Sequence, residues 1–265
     1  MTWSPAPGPR DHGARELAVT EHGPEDGRVV VLIHGALDRS RAFRRVVDRL
    51  GDLRVVVYDR RGYGGSLGAQ PAMSLEDHCR DVLGVIGERD VTLVAHSFGS
   101  HVAVLAALAA PHQVASVGLW EPPVPWMELW PAEARANVAA IAFSAEPEEV
   151  GERAYKSMVG AEVWDRLDDS TRARRRAEGV AFRTDMSSEL VAPYDWADLA
   201  TPCIVGYGGR TWPYAHRAAR GVASLLGCPT FTVDDAPHVA HVTHPAQFAE
   251  FVRRAVALGD RAPTG

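Results

Sequence analysis

The chain has 265 residues, enough for one large α/β domain carrying an insertion. Apolar residues make up 46% and charged residues 23%, the profile of a soluble globular protein. The formal charge is -6 with no long basic block, so nucleic acid is not an expected partner. No stretch reaches the roughly 18 apolar residues that a membrane helix needs. The opening MTWSPAPGPRDHGAR has no basic-then-apolar signal pattern, so a cytoplasmic protein without membrane insertion is expected. Cys79, Cys203 and Cys228 show no metal-binding spacing and read as reduced structural thiols; no metal is expected.

Residues 1–14 are rich in Pro, Gly and charge and read as an irregular arm. RELAVTEHG alternates as a strand does, and PEDG turns it. RVVVLIHG is a continuous β-branched run, the pattern of a strand buried on both faces. RAFRRVVDRL has helical spacing. LRVVVYDRRGYGGS is a second buried strand that opens into a Gly-rich loop. SLEDHCRDVLGVIGE predicts a helix with Ser74 as N-cap and Asp77 three residues on. The strand VTLVAH, a helix from about Gly99 to Ala110 and the strand VASVGLW follow. From about Val124 to Trp196 the chain reads only as helices: PAEARANVAAIAFS, PEEVGERAYKSMV, then AEVWDRL through RARRRAEGVAF. Alternation resumes with TPCIVGYGG, YAHRAARGVASLL, PTFTVD and PAQFAEFVRRAVAL. These patterns predict an α/β fold with a mostly parallel, doubly covered sheet. The division is a first core part at 1–123, a helical lid at 124–196 and a second core part at 197–265. Such a lid lies over the carboxyl ends of the strands, where α/β sheets bind ligands.

AHSFG, from Ala95 to Gly99, is one residue away from G-x-S-x-G. A nucleophile on a tight strand-to-helix turn projects its Oγ above the sheet, and small residues two before and two after it avoid a clash. Ser97 is the candidate nucleophile, although a serine here also serves as an ordinary helix cap. The Phe98 N–H at the start of the following helix suits a developing oxyanion. The Ala36 N–H, after the strand that ends in LIHGA, is the candidate second donor.

Taken in order, HGA, DRRGYGGS, AHSFG and DAPHVAHVTHP make the chain similar to the α/β-hydrolase family over about residues 15–258. The resemblance implies an eight-stranded mostly parallel sheet, a helical cap and a nucleophile–acid–histidine triad. With serine at the elbow it is similar to the serine esterase, lipase, thioesterase and lactonase branches.

Serine needs a base. His34 and His96 flank motifs on rigid turns and read as structural, and most of the 11 histidines are expected at the surface. His238 comes first after the strand PTFTVD, where the family's catalytic histidine stands; His241 and His244 lie nearer the next helix, where capping explains them. Pro237 replaces the family's usual Gly. The acid departs further, because YGGRTWP puts Thr211 where the family's Asp usually stands. Glu121, at the end of VGLWEPP on the neighbouring strand, is the candidate acid, with Asp234 and Asp235 as rivals. Its carboxylate is then expected within about 3.2 Å of His238 Nδ1. Trp126, Trp130 and Trp164 in the lid, beside Phe98, are the candidate substrate-binding residues for an apolar group. RARRRAEG reads as a solvated helix face. The expected activity is a cofactor-independent serine hydrolase that cleaves a small-molecule ester, thioester or lactone with an apolar moiety through an acyl-enzyme. The alternatives are an acyltransferase or lyase with the same triad, or a non-catalytic binder of this fold.

Overall fold

The computed structural model describes residues 17–69, 72 and 74–260, so the arm at 1–14 lies outside the described residues. Seven strands are formed: β1 (Val19–His22), β2 (Val29–Ile33), β3 (Arg54–Tyr58), β4 (Val91–His96), β5 (Val114–Trp120), β6 (Cys203–Gly208) and β7 (Thr230–Val233). They pair in the order β1-β3-β2-β4-β5-β6-β7. β1 is antiparallel to β3, and every other pair is parallel. The family resemblance implied eight strands; seven are present among the described residues.

Side chains alternate across the sheet because strand periodicity is two. Val31, Ile33 and Val56 face one apolar cluster, whereas Val30, Leu32, Val55 and Val57 face the other. Helices α2 (Leu75–Ile86), α3 (Gly99–Ala109) and α9 (Pro213–Leu226) cover the first face. Helices α1 (Arg44–Val47) and α11 (Pro245–Gly259) cover the second. Both faces of β4 are therefore buried, which explains its run of six buried residues. At the start of α2, the Asp77 carboxylate accepts the Ser74 N–H at 3.3 Å, as the sequence pattern predicts.

Between β5 and β6 the chain forms only helices: α4 (Ala132–Ala142), α5 (Pro147–Val159), α6 (Ala161–Asp165), α7 (Asp169–Ala177) and α8 (Gly179–Ser188). The helical stretch expected from AEVWDRL through RARRRAEGVAF is divided into α6, α7 and α8, with a break after Ala177. A Cβ on Gly179 would stand 2.0 Å from the Pro147 carbonyl oxygen, so a glycine at the start of α8 is what lets it press against the N-terminus of α5. The buried Glu178 at the break accepts from Arg39 Nη2 (2.9 Å) and the Gly64 N–H (3.0 Å), tying the insertion to the core. Arg172, Arg175 and Arg176 pair with Asp169, Glu178 and Glu152, all within the insertion. The helix expected over RAFRRVVDRL also shortens. A 3-10 turn at Ser40–Phe43 leads into α1, and turns after Val47 carry Leu50 and Leu53 into the core. A short helix, α10 (Ala240–Thr243), precedes α11.

Candidate active site

β4 ends at His96, and the next residue turns sharply. Ser97 has φ 52, a left-handed conformation that non-glycine residues seldom adopt. Its N–H donates to the Trp120 carbonyl (2.8 Å), which extends the β4–β5 ladder up to the turn. The tightness of the turn explains its small neighbours. A Cβ on Gly99 would lie 2.7 Å from the Ile33 carbonyl oxygen, and Ala95 is fully buried. Opposite the turn runs the His34–Gly35–Ala36 loop, so close that a Cβ on Gly35 would stand 3.0 Å from Ser97 Cβ.

One strand further along, Glu121 follows the end of β5 with φ 49, and its N–H donates to the Gly206 carbonyl (2.9 Å). Its side chain is buried, and three donors converge on the carboxylate. Oε1 accepts the Gly208 N–H (2.8 Å). Oε2 accepts the Thr211 hydroxyl (2.6 Å) and lies 2.6 Å from His238 Nδ1. The last distance is inside the 3.2 Å expected from the sequence. Because Nδ1 donates its hydrogen to the carboxylate, Nε2 is left with the lone pair that a base requires. Asp234 and Asp235 are exposed and do not reach this ring; Asp235 instead contacts His244 at 3.2 Å.

The His238 backbone is held as firmly as its ring. Its carbonyl accepts from His96 Nε2 (3.1 Å) and Trp120 Nε1 (3.2 Å), and the His96 and His238 rings are 4.6 Å apart. Among the described residues Ser97 Oγ has no hydrogen-bond partner, so the Ser97–His238 bond that proton transfer requires is not made in this conformation.

His34 sits under the turn. Its Nε2 accepts the Arg60 N–H (2.8 Å) and its Nδ1 donates to the Gly35 carbonyl (2.7 Å). Burial, helped by the Arg60 charge, lowers its pKa to about 4, so the ring is neutral as this bonding demands. His241 does not act as a helix cap. It is buried, its Nε2 contacts Asp38 Oδ2 at 2.9 Å, and it thereby ties the loop after β2 to α10. The candidate ligand atoms of Asp38, His96 and His241 lie within 4.8 Å of one another, a spacing that a metal ion could also use.

His78 and His101 carry no sequence motif, yet both are buried. His78 could have been placed, because it stands at helical spacing with the buried Leu75, Val82 and Val85. His101 Nδ1 contacts the Tyr194 hydroxyl at 2.9 Å, and its ring lies 5.7 Å from Phe98.

Of the aromatic residues expected in the site, Trp126 is half-buried 5.3 Å from the His101 ring. Trp130 is buried against Tyr214 at 4.7 Å. Trp164 is placed elsewhere. It is 2% exposed inside the helical insertion, next to Tyr155, Lys156 and Arg176, and its contacts are those of a packing residue. Sequence reasoning missed Trp212, which is 50% exposed, stacks on Tyr214 and lies 5.0 Å from the His238 ring. The signal was its place directly after Thr211, in the turn that usually carries the acid.

The description "Alpha/beta hydrolase family" fits residues 30–251. Lipase LipV of Mycobacterium tuberculosis is 31% identical over 112 residues, 41% of this chain and 42% of that protein. The dihydrolipoyllysine-residue acetyltransferase component of the acetoin cleaving system of Pseudomonas putida is 32% identical over 119 residues, 43% of this chain and 32% of that protein. The chain thus matches less than half the length of either relative. Among solved structures, the enol-lactonase from Burkholderia xenovorans LB400 superposes with a TM-score of 0.71 at 17% identity, covering 91% of this chain and 96% of that one. A thermophilic esterase from Thermogutta terrifontis gives 0.70 at 19% identity, covering 92% and 93%. At these identities the structures speak for the fold alone. With most of its length matched, the chain belongs to the alpha/beta hydrolase family.

Proposed function

We propose that this protein is a cofactor-independent serine hydrolase that cleaves a carboxylic ester, thioester or lactone with an apolar moiety. The observation that carries the reading is the 2.6 Å contact between Glu121 Oε2 and His238 Nδ1, beside a serine held at φ 52. In this reading Ser97 Oγ attacks the substrate carbonyl carbon as His238 Nε2 takes its proton. The negative oxygen of the tetrahedral intermediate accepts from the Ala36 and Phe98 N–H groups. His238 then passes its proton to the departing alcohol or thiol, and the acyl group remains on Ser97. Water, deprotonated by His238, releases the acid and restores the serine. Glu121 fixes the ring's tautomer and stabilises the imidazolium.

The helices between β5 and β6 act as the cap, and Trp126, Trp130 and Phe98 favour an apolar group beneath it. The name of the lipase relative agrees with this substrate class. The test is turnover of p-nitrophenyl esters. Ser97→Ala is expected to lose on the order of 10³-fold or more in kcat while keeping its fold. Equal turnover by the wild type and the variant overturns the serine-hydrolase reading.

A further inference from the structure

Arg60 is a fully buried arginine, and four of its five N–H donors have carbonyl or carboxylate acceptors. Nε donates to the His34 carbonyl (3.1 Å) and one Nη2 hydrogen to the Gly35 carbonyl (3.1 Å). The other Nη2 hydrogen and one Nη1 hydrogen form a bidentate pair with Asp185 of α8, at 2.7 and 3.1 Å. Arg60 Nη1 and Asp185 Oδ1 both face His78 Nε2, at 3.1 and 3.2 Å. Fully buried among these partners, Arg60 presents no face to a substrate.

Its contacts nevertheless converge on the two residues assigned to the oxyanion site. The Gly35 carbonyl and the Ala36 N–H belong to one planar trans peptide, so they point in opposite directions. Arg60 Nη2 and His34 Nδ1 both hold the carbonyl end. That fixes the direction of the N–H end and polarises it, since hydrogen bonds along a chain strengthen one another. The guanidinium also lies over the Phe98 ring, 4.6 Å from its centroid, beside the second donor. Asp185, which orients the guanidinium, is buried as well and accepts the Tyr63 hydroxyl at 2.6 Å.

We propose that Arg60 is a positioning residue for the oxyanion site: it orients the Gly35–Ala36 peptide, and Asp185 couples that orientation to the seating of the helical insertion. The proposal rests on the serine-hydrolase reading. A site held in this way recognises the transition state rather than the substrate, because the aimed N–H is fully used only when negative charge develops on the oxygen.

The test is a trifluoromethyl ketone, which adds Ser97 and places an oxyanion where the intermediate has one, measured beside p-nitrophenyl butyrate turnover. Arg60→Lys keeps the charge but loses the planar fork. It is expected to lower kcat on the order of 10²-fold and to raise the ketone's inhibition constant by a similar factor, with KM within about threefold. The double variant Arg60→Met with Asp185→Leu removes both charges together, which guards against an unpaired buried charge that unfolds the protein. It is expected to show the same loss, with folding checked by circular dichroism. Folded variants with unchanged kcat and inhibition constant, or with KM raised alone, overturn the proposal. A wild type that the ketone does not inhibit overturns the serine-hydrolase reading and this proposal with it.

Discussion

At the scale of single residues, Thr211 changes meaning between sequence and structure. It stands where the family's acid usually stands, and from sequence its loss is expected to cost little. Its hydroxyl, however, donates to Glu121 Oε2 at 2.6 Å. Thr211→Ala is therefore expected to lower kcat about tenfold, the value of one hydrogen bond to a charged group. Glu121→Gln removes the charge itself and is expected to cost on the order of 10²–10⁴ in kcat. Steady-state rates of both variants check this ranking, and equal rates would contradict it. His238→Ala is expected to match the loss in Ser97→Ala. His241→Ala is expected to spare the chemistry and lower stability by roughly 1–3 kcal/mol, because it leaves Asp38 without its buried partner. Ser97 and Glu121 were both legible, since each follows a strand end with a recognisable flanking pattern. The contacts of Asp38, His78, His101 and Asp185 were not, because these pairings join segments far apart in the chain.

At the scale of elements, the strands and their succession along the chain followed from periodicity, and the β-branched runs became parallel strands of the sheet, whereas their order across it did not follow from any local pattern. Helix ends were harder to read. At the break between α7 and α8 the Gly179 backbone presses on Pro147, a contact between two helices that the local sequence does not display. Gly179→Ala puts a methyl group into that contact and is expected to destabilise the protein by roughly 1–3 kcal/mol. Urea titration measures it, and an unchanged midpoint would show that the helices simply separate. If the helical insertion is an apolar cap, kcat/KM rises with acyl length over the first few carbons of a p-nitrophenyl ester series. A steady preference for acetate esters would contradict that role.

At the scale of the whole molecule, neutral buried histidines set an acid limit. The pKa of His34 is lowered to about 4, first by burial and then by Arg60, with Asp38 and Asp59 opposing. Burial lowers His78 and His96 in the same direction. An unfolded histidine titrates near 6.5. Below that pH the unfolded chain binds protons that the folded chain refuses, so stability falls as pH drops from about 6.5 to about 4. For His34 alone the loss is on the order of 3 kcal/mol across that window. Asp185 works in a lower range. Burial opposes its charge, but Arg60 holds its pKa below the ordinary carboxylate value, so its contribution is present above that value and lost only in stronger acid. Urea midpoints at pH 7.5 and pH 5 are expected to differ, with the lower one at pH 5; a flat or inverted result would contradict the neutral-histidine assignment. Among the described residues no helix is long and apolar enough to cross a membrane.

The central claim is that Ser97 is a nucleophile activated by the Glu121–His238 pair. A fluorophosphonate reports this directly, because an activated serine displaces its fluoride far faster than an ordinary one does. Intact-mass and peptide analysis is expected to find one phosphonyl group on Ser97 in the wild type and none in Ser97→Ala, with strongly slowed labelling in His238→Ala. An unlabelled wild type, or a label on another residue, would contradict the account.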